Sequence, residues 1–188
     1  NYKIIGIDFI KEAIEKLKIV DKTLDVRFGD ILNLEFKNES FDIVLAFGLY
    51  HNFHSENLQK SVKETYRVLK KGGKLCASFR ADNLHTLIID SLSTKNKKFH
   101  KLNLTKKEFI KLLENHGFKI ENTYDVENMP LFYKFKFLRS KTHKNFDERK
   151  FRSKGYELSI LGNFLQKILF GLFPESFCNI YLIIAEKK

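Results

Sequence analysis

Two aspartates stand where short apolar runs give way to turns: Asp8 closes Tyr2-Lys3-Ile4-Ile5-Gly6-Ile7, and Asp30 follows Asp25-Val26-Arg27-Phe28-Gly29. A carboxylate at the carboxyl end of a parallel strand, just ahead of a helix, can accept both hydrogen bonds of a ribose diol. The same group can instead help to cap the helix that follows. Asp30 is placed to accept from the exocyclic amine of a purine while the Ile31 amide donates to a ring nitrogen, or to act as an ordinary turn aspartate. A third group, Tyr50, His51 and His54, follows the apolar run Phe41 to Phe47. A histidine tuned near neutrality can take a proton from an attacking oxygen or nitrogen; the alternative is a pocket-lining, hydrogen-bonded histidine. Cys76 and Cys178 lack the close spacing of a zinc site or disulfide framework, so neither is expected.

Alternating strands and helices would position these groups. Tyr2 to Asp8 reads as a buried strand, Lys11 to Lys18 as an amphipathic helix carrying Ala13, Ile14 and Leu17, and Asp25 to Phe28 as a second strand. Phe41 to Phe47 is continuously apolar, the pattern of a central parallel strand covered on both faces. Ser55 is the expected N-cap of a helix reaching Leu69, closed by Lys70-Lys71-Gly72-Gly73, with Lys74 to Phe79 as the next strand. A loop with a short helix over Leu84 to Leu92 comes next. Thr105-Lys106-Lys107-Glu108 is a capping box ahead of Phe109, Leu112 and Leu113; Gly117 closes that helix, and Phe118 to Tyr124 is a strand. The alternation argues for an open α/β sheet with helices on both faces.

Beyond Glu127 the pattern changes. Aromatic residues Phe132, Tyr133, Phe135 and Phe137 interleave with basic ones after a Met129-Pro130 corner, as a lid or, preferably, as packing on the sheet. Ser140 to Gly155 is strongly basic, and Ile160 to Phe173 is an apolar helix stopped by Pro174. That helix reads first as a core element and second, with its basic neighbours, as a peripheral membrane contact. Asn179 to Ala185 is a buried strand ahead of charged terminal residues.

The 188 residues, 43% hydrophobic, suffice for one domain with a sizeable core. Of the formal charge of +11, about ten lie between Lys95 and Lys154, where 17 Lys and Arg face 7 Asp and Glu. Such a stretch attracts nucleic acid, anionic lipid or an anionic substrate, or is simply a solvated surface. No uncharged run approaches the eighteen or so apolar residues that span a bilayer, and the cysteine usage makes the cytoplasm the expected compartment.

Taken with their spacing, Ile5-Gly6-Ile7-Asp8, Gly29-Asp30-Ile31, Leu34-Glu35-Phe36, Ser40-Phe41-Asp42-Ile43-Val44 and Arg67 to Leu75 resemble the class I S-adenosylmethionine-dependent methyltransferases of the small-molecule type. The resemblance spans about Lys3 to Asp125 and resumes in the final strand. It implies a Rossmann-like, mostly parallel sheet with an antiparallel last strand, forming one partial domain over residues 1–188 with a variable substrate or lid insertion over 127–177. The cofactor it implies is S-adenosylmethionine, contacted by Asp8 with Phe9, by Asp30 with Ile31, and by Phe47 and Gly48. Leu49, Tyr50 and His51 would border the methionine moiety and the acceptor, with His51 and Tyr50 the candidates for a base. The acceptor implied is a small molecule or lipid-like compound.

Two departures stand out. Ile10 and Lys11 replace the usual Ser and Pro, removing a hydroxyl cap. The family's first strand and glycine-rich loop have no counterpart, although that strand belongs between those ending at Asp8 and Phe47. Two rows of unpaired backbone groups would result, each group costing on the order of 1–3 kcal/mol if buried, so a fragment of a longer chain is expected. Two rivals share parts of the pattern: a Rossmann dehydrogenase, which also has an acid at the position of Asp8, and a non-catalytic module that holds nucleic acid or protein on its basic surface.

Overall fold

A computed structural model describes residues 3–92, 102–126, 130–141 and 157–188. Six strands and seven helices alternate through them. β1 (Gly6–Asp8), α1 (Lys11–Val20) and β2 (Val26–Phe28) form a first unit in which the two strands pair in parallel. β3 (Phe41–Ala46), α2 (Ser55–Val68), β4 (Leu69–Arg80), α3 (Leu84–Ser91), α4 (Lys106–Asn115) and β5 (Phe118–Val126) follow, then α5 (Pro130–Tyr133), α6 (Ile160–Leu172), α7 (Pro174–Phe177) and β6 (Ile180–Lys187). The second sheet has the order β3-β4-β6-β5, with β3 and β4 parallel and β6 antiparallel to both of its neighbours. The expected parallel sheet with an antiparallel last strand is therefore present.

One face of this sheet makes the core. Leu75, Ala77 and Phe79 of β4 and Tyr181, Ile183 and Ala185 of β6 alternate inward, as the two-residue period of a strand requires. They meet Leu58 and Val62 of α2 and Phe109, Leu112 and Leu113 of α4 in a single cluster. The capping box that starts α4 is complete: Thr105 Oγ1 accepts from the Glu108 amide at 3.2 Å, and Glu108 Oε2 accepts from the Thr105 amide at 2.8 Å.

Several expectations need correction. β3 is not central: among the described residues it pairs with β4 on one side only, and Ile43 and Leu45 are 56% and 66% exposed. Helices on both faces were expected, yet α2 and α4 share one face, so the alternate residues of β3 meet no cover among the described residues. Lys70 to Gly73 does not terminate α2 as a separate turn. α2 ends at Val68 and β4 begins at once; His54 rather than Ser55 stands at its N-cap position and makes no side-chain capping bond. The pair of glycines serves a bulge instead, in which the register slips between Phe41↔Leu69 and Ile43↔Lys74. Gly72 has φ +72°, and a Cβ on Gly73 would lie 2.8 Å from the Lys70 carbonyl oxygen.

Lys187, one of the charged residues at the terminus, is buried, with its Nζ donating to the Leu69 carbonyl at 2.7 Å and lying over the Tyr66 ring. α6 is a core helix only in part: Phe170 packs on the main core and Leu165 and Leu169 on a second cluster, while among its residues only Gly162 is fully buried. Phe132 and Tyr133 pack inward while Phe137 is exposed. Met129 and most of the basic stretch, residues 142–155, lie outside the described residues.

Candidate functional site

The loops at the carboxyl ends of β1, β2 and β3 hold the residues singled out above. In the β1-β2 pair Asp8 stands opposite Phe28, and the Gly29 amide donates to the Asp8 carbonyl at 3.0 Å. Asp8 and Asp30 thus emerge from adjacent ends of two parallel strands, two residues apart in register. Each carboxylate is tethered in the same way: Asp8 Oδ1 accepts from the Ile10 amide at 2.8 Å, and Asp30 Oδ1 accepts from the Leu32 amide at 2.9 Å. The bond to Ile10 also explains how α1 starts without a hydroxyl cap, because its N-cap Ile10 makes no side-chain bond. The capping alternative for Asp8 is thus realised through one oxygen.

Phe9, beside Asp8, is 66% exposed and rests on Phe28 with ring centroids 5.6 Å apart. Ile31 is half-buried in the turn after Asp30. That turn is anchored from a distance. Arg67 on α2 donates to the Leu34 carbonyl at 2.8 Å, the Phe36 carbonyl at 2.7 Å and Asn38 Oδ1 at 3.0 Å, while Glu64 accepts from the Leu34 amide at 3.0 Å. The two side chains also bond each other, which holds Glu64 ionised below its usual range. Sequence reasoning placed Arg67 in a family motif without a role. Only the Glu64-Arg67 spacing, one helical turn, was a readable signal.

At the end of β3, Phe47 is half exposed and Gly48 adopts φ +65° with open space where a Cβ would be. Its amide donates to Ser78 Oγ on β4 at 2.9 Å, and its carbonyl accepts from Asn52 Nδ2 at 2.7 Å. The chain then makes a single 3-10 turn, Tyr50–Asn52. His51 is half-buried there, its ring edge-on to Phe79 and its carbonyl accepting from the Leu102 amide at 2.8 Å. Tyr50 belongs elsewhere: it is fully buried, its hydroxyl bonded to Thr65 Oγ1 at 2.8 Å, and burial pushes its ionisation far above the ordinary range. A phenol sealed in the core cannot act as a base on an acceptor, so that expectation is corrected.

Beyond β4, Asn83 starts α3 by accepting from the Thr86 amide and uses its amide group to hold the Glu175 and Cys178 carbonyls, both at 2.8 Å. α3 also meets α5 through the buried His85, whose Nε2 lies 3.4 Å from the Leu131 amide; desolvation, aided by the charge of Arg80, lowers its pKa to about 4. A small cap of helices is thereby fixed at this end of β4.

Residues 1–77 match the methyltransferase domain family. A probable S-adenosylmethionine-dependent methyltransferase of Mycolicibacterium smegmatis is 28% identical over 124 residues, covering 66% of this chain and 46% of its own length. A demethylmenaquinone methyltransferase of Alkalihalophilus pseudofirmus is 36% identical over 81 residues, 40% of this chain and 33% of the relative. The chain thus spans about half or less of these relatives. Among solved structures, an S-adenosylmethionine-dependent methyltransferase of Methanosarcina mazei superposes with a TM-score of 0.64 at 17% identity, over 97% of this chain and 81% of the other.

Proposed function

We propose that the chain is a class I S-adenosylmethionine-dependent methyltransferase that uses this cofactor to methylate a small-molecule or lipid-like acceptor. The reading rests above all on the register of β1 and β2, which brings Asp8 and Asp30 out of neighbouring strand ends. The donor set suits the adenosine half of the cofactor. Asp8 is an acceptor for the ribose diol, and Asp30 with the Ile31 amide offers one acceptor and one donor to the adenine edge. Phe9 presents exposed aromatic surface next to Asp8, Phe47 does so at the end of β3, and the bare backbone of Gly48 permits close approach.

When bound, the cofactor supplies an electrophilic sulfonium methyl. What the protein must add is mainly alignment of the acceptor's lone pair behind the methyl carbon, because holding two reactants in line removes much of the entropic barrier. The fixed turn from Gly48 to Asn52 is the element for that task, with His51 as the group that orients or deprotonates an acceptor hydroxyl or amine. A basic surface also suits RNA, and the acceptor assay separates the two. Full-length protein is incubated with radiolabelled methyl donor and, in turn, a lipid extract, a small-metabolite extract and total RNA. Label in the lipid or metabolite fraction supports the proposal; label confined to RNA overturns the acceptor class. Binding of a nicotinamide dinucleotide without any methyl transfer would instead favour a dehydrogenase.

A further inference from the structure

α6 carries apolar side chains on two faces, and only one of them is used. Leu165, Leu169 and Phe170 pack with Leu138, Leu158, Phe132 and Phe177 into a small second cluster, and Phe170 also touches the main core. Gly162 seats the helix there, since a Cβ would come within 2.5 Å of the Leu138 carbonyl oxygen. The other face shows Leu161, Phe164, Ile168 and Leu172, spaced by three, four and four residues, at 53%, 59%, 41% and 66% exposure. That spacing keeps all four within one stripe of a 3.6-residue helix. Ile160 and Phe173 are exposed at the two ends of the helix, and Phe137 is exposed on the adjoining 3-10 turn Lys136–Leu138, whose Leu138 carbonyl receives the Ser159 amide. Soluble surfaces rarely leave so long an apolar strip uncovered.

The charge around the strip says what covers it. Over residues 130–141 and 157–173 the basic residues are Lys134, Lys136, Arg139, Lys141 and Lys167, and Glu157 is the single acid. Arg139 is occupied by the Tyr133 carbonyl and ring, whereas the four lysines are solvent-exposed. A second copy would bring the same positive charge against itself; an anionic lipid surface is complementary to both parts, apolar strip and basic border. With 13 residues α6 is about 20 Å long, and no helix among the described residues is long and apolar enough to cross a membrane. We propose that α6 lies flat in the surface of an anionic bilayer, with Leu161, Phe164, Ile168 and Leu172 inserted and the neighbouring lysines among the headgroups. Since α7 joins α6 to the helical cap at the end of β4, this docking would present that end of the sheet to the lipid.

The test uses the full chain and vesicles of phosphatidylcholine, with and without phosphatidylglycerol. Binding to the anionic vesicles is expected to exceed binding to the neutral ones by at least about tenfold and to weaken as salt is raised. The exposed pair Phe164→Ser and Ile168→Ser should lower it by at least about tenfold, and Lys134→Glu with Lys136→Glu by a similar factor. The native chain contains no tryptophan, so Phe164→Trp gives a signal that loss of folding cannot imitate: a blue shift and quenching by brominated acyl chains, appearing only with anionic vesicles. Equal partition of native and substituted proteins, or a tryptophan that stays solvent-exposed with vesicles, overturns the proposal. So does a concentration-dependent dimer that Phe164→Ser dissociates while vesicle binding is absent, which would assign the strip to a second copy.

Discussion

Replacing Arg67 by alanine removes the clamp that holds the turn after β2 against α2. Three donated bonds reach that turn, to Leu34, Phe36 and Asn38, and a further two reach Glu64. Hydrogen bonds to charged groups contribute about 1.5–3 kcal/mol when fully protected. The Arg67 side chain keeps 29% of its exposure, so water takes up part of the loss. Counting about 1 kcal/mol for each bond to the turn gives about 3 kcal/mol, a fall in Tm of roughly 6–12 °C for a chain of this size. Arg67→Lys should recover less than half, because an ammonium cannot reach two carbonyls and a carboxylate in one plane. Lys70→Ala supplies the control: its bond to Asp42 is between largely exposed groups, and its loss should change stability by less than about 0.5 kcal/mol. Thermal unfolding followed by circular dichroism measures all three. Arg67→Ala should also bind the cofactor more weakly, since the clamped segment begins four residues after Asp30. A loss below about 0.5 kcal/mol, or equal losses for Arg67→Ala and Lys70→Ala, would refute the clamp.

Other outcomes follow from the same structure. His85 is neutral when folded down to about pH 4, whereas the unfolded chain takes up its proton near 6.5; the unfolded state therefore binds more protons between these values, and stability falls as pH drops through that window. The loss attributable to this group, on the order of 2 kcal/mol, should be absent from a pH series of urea melts on His85→Gln. Thr105→Ala should cost about 1 kcal/mol by removing half of the capping box that starts α4. Gly162→Ala should loosen α6, because its new methyl meets backbone at 2.5 Å; limited proteolysis should then cut near α6 while the melt of the main core stays unchanged.

Much of this fold was legible in the residues. Thr105 and Glu108 fixed the start of α4 because a capping box is a purely local device. The two carboxylates were legible for the same reason: Asp8 ends one strand and Asp30 follows the next by two residues, and strand ends are set by local pattern. What the residues could not show was pairing. The apolar run of β3 looked central, yet its place in the sheet depends on which strands lie beside it, and among the described residues only β4 does. Gly72 and Gly73 resembled a helix stop because glycine serves a bulge equally well. Nothing about Tyr50 betrayed its bond to Thr65, fifteen residues away. The two faces of α6 are both apolar, so periodicity alone could not tell the packed side from the open one.

Isothermal titration of S-adenosylhomocysteine into the full-length protein tests most directly whether Asp8 and Asp30 grip one adenosine. Saturable one-to-one binding is expected, and Asp8→Asn and Asp30→Asn should each weaken it by at least about tenfold, the loss expected when a charged acceptor for a bound hydroxyl or amine is neutralised. Unaltered affinity in both variants, or no binding by the native protein, would contradict it.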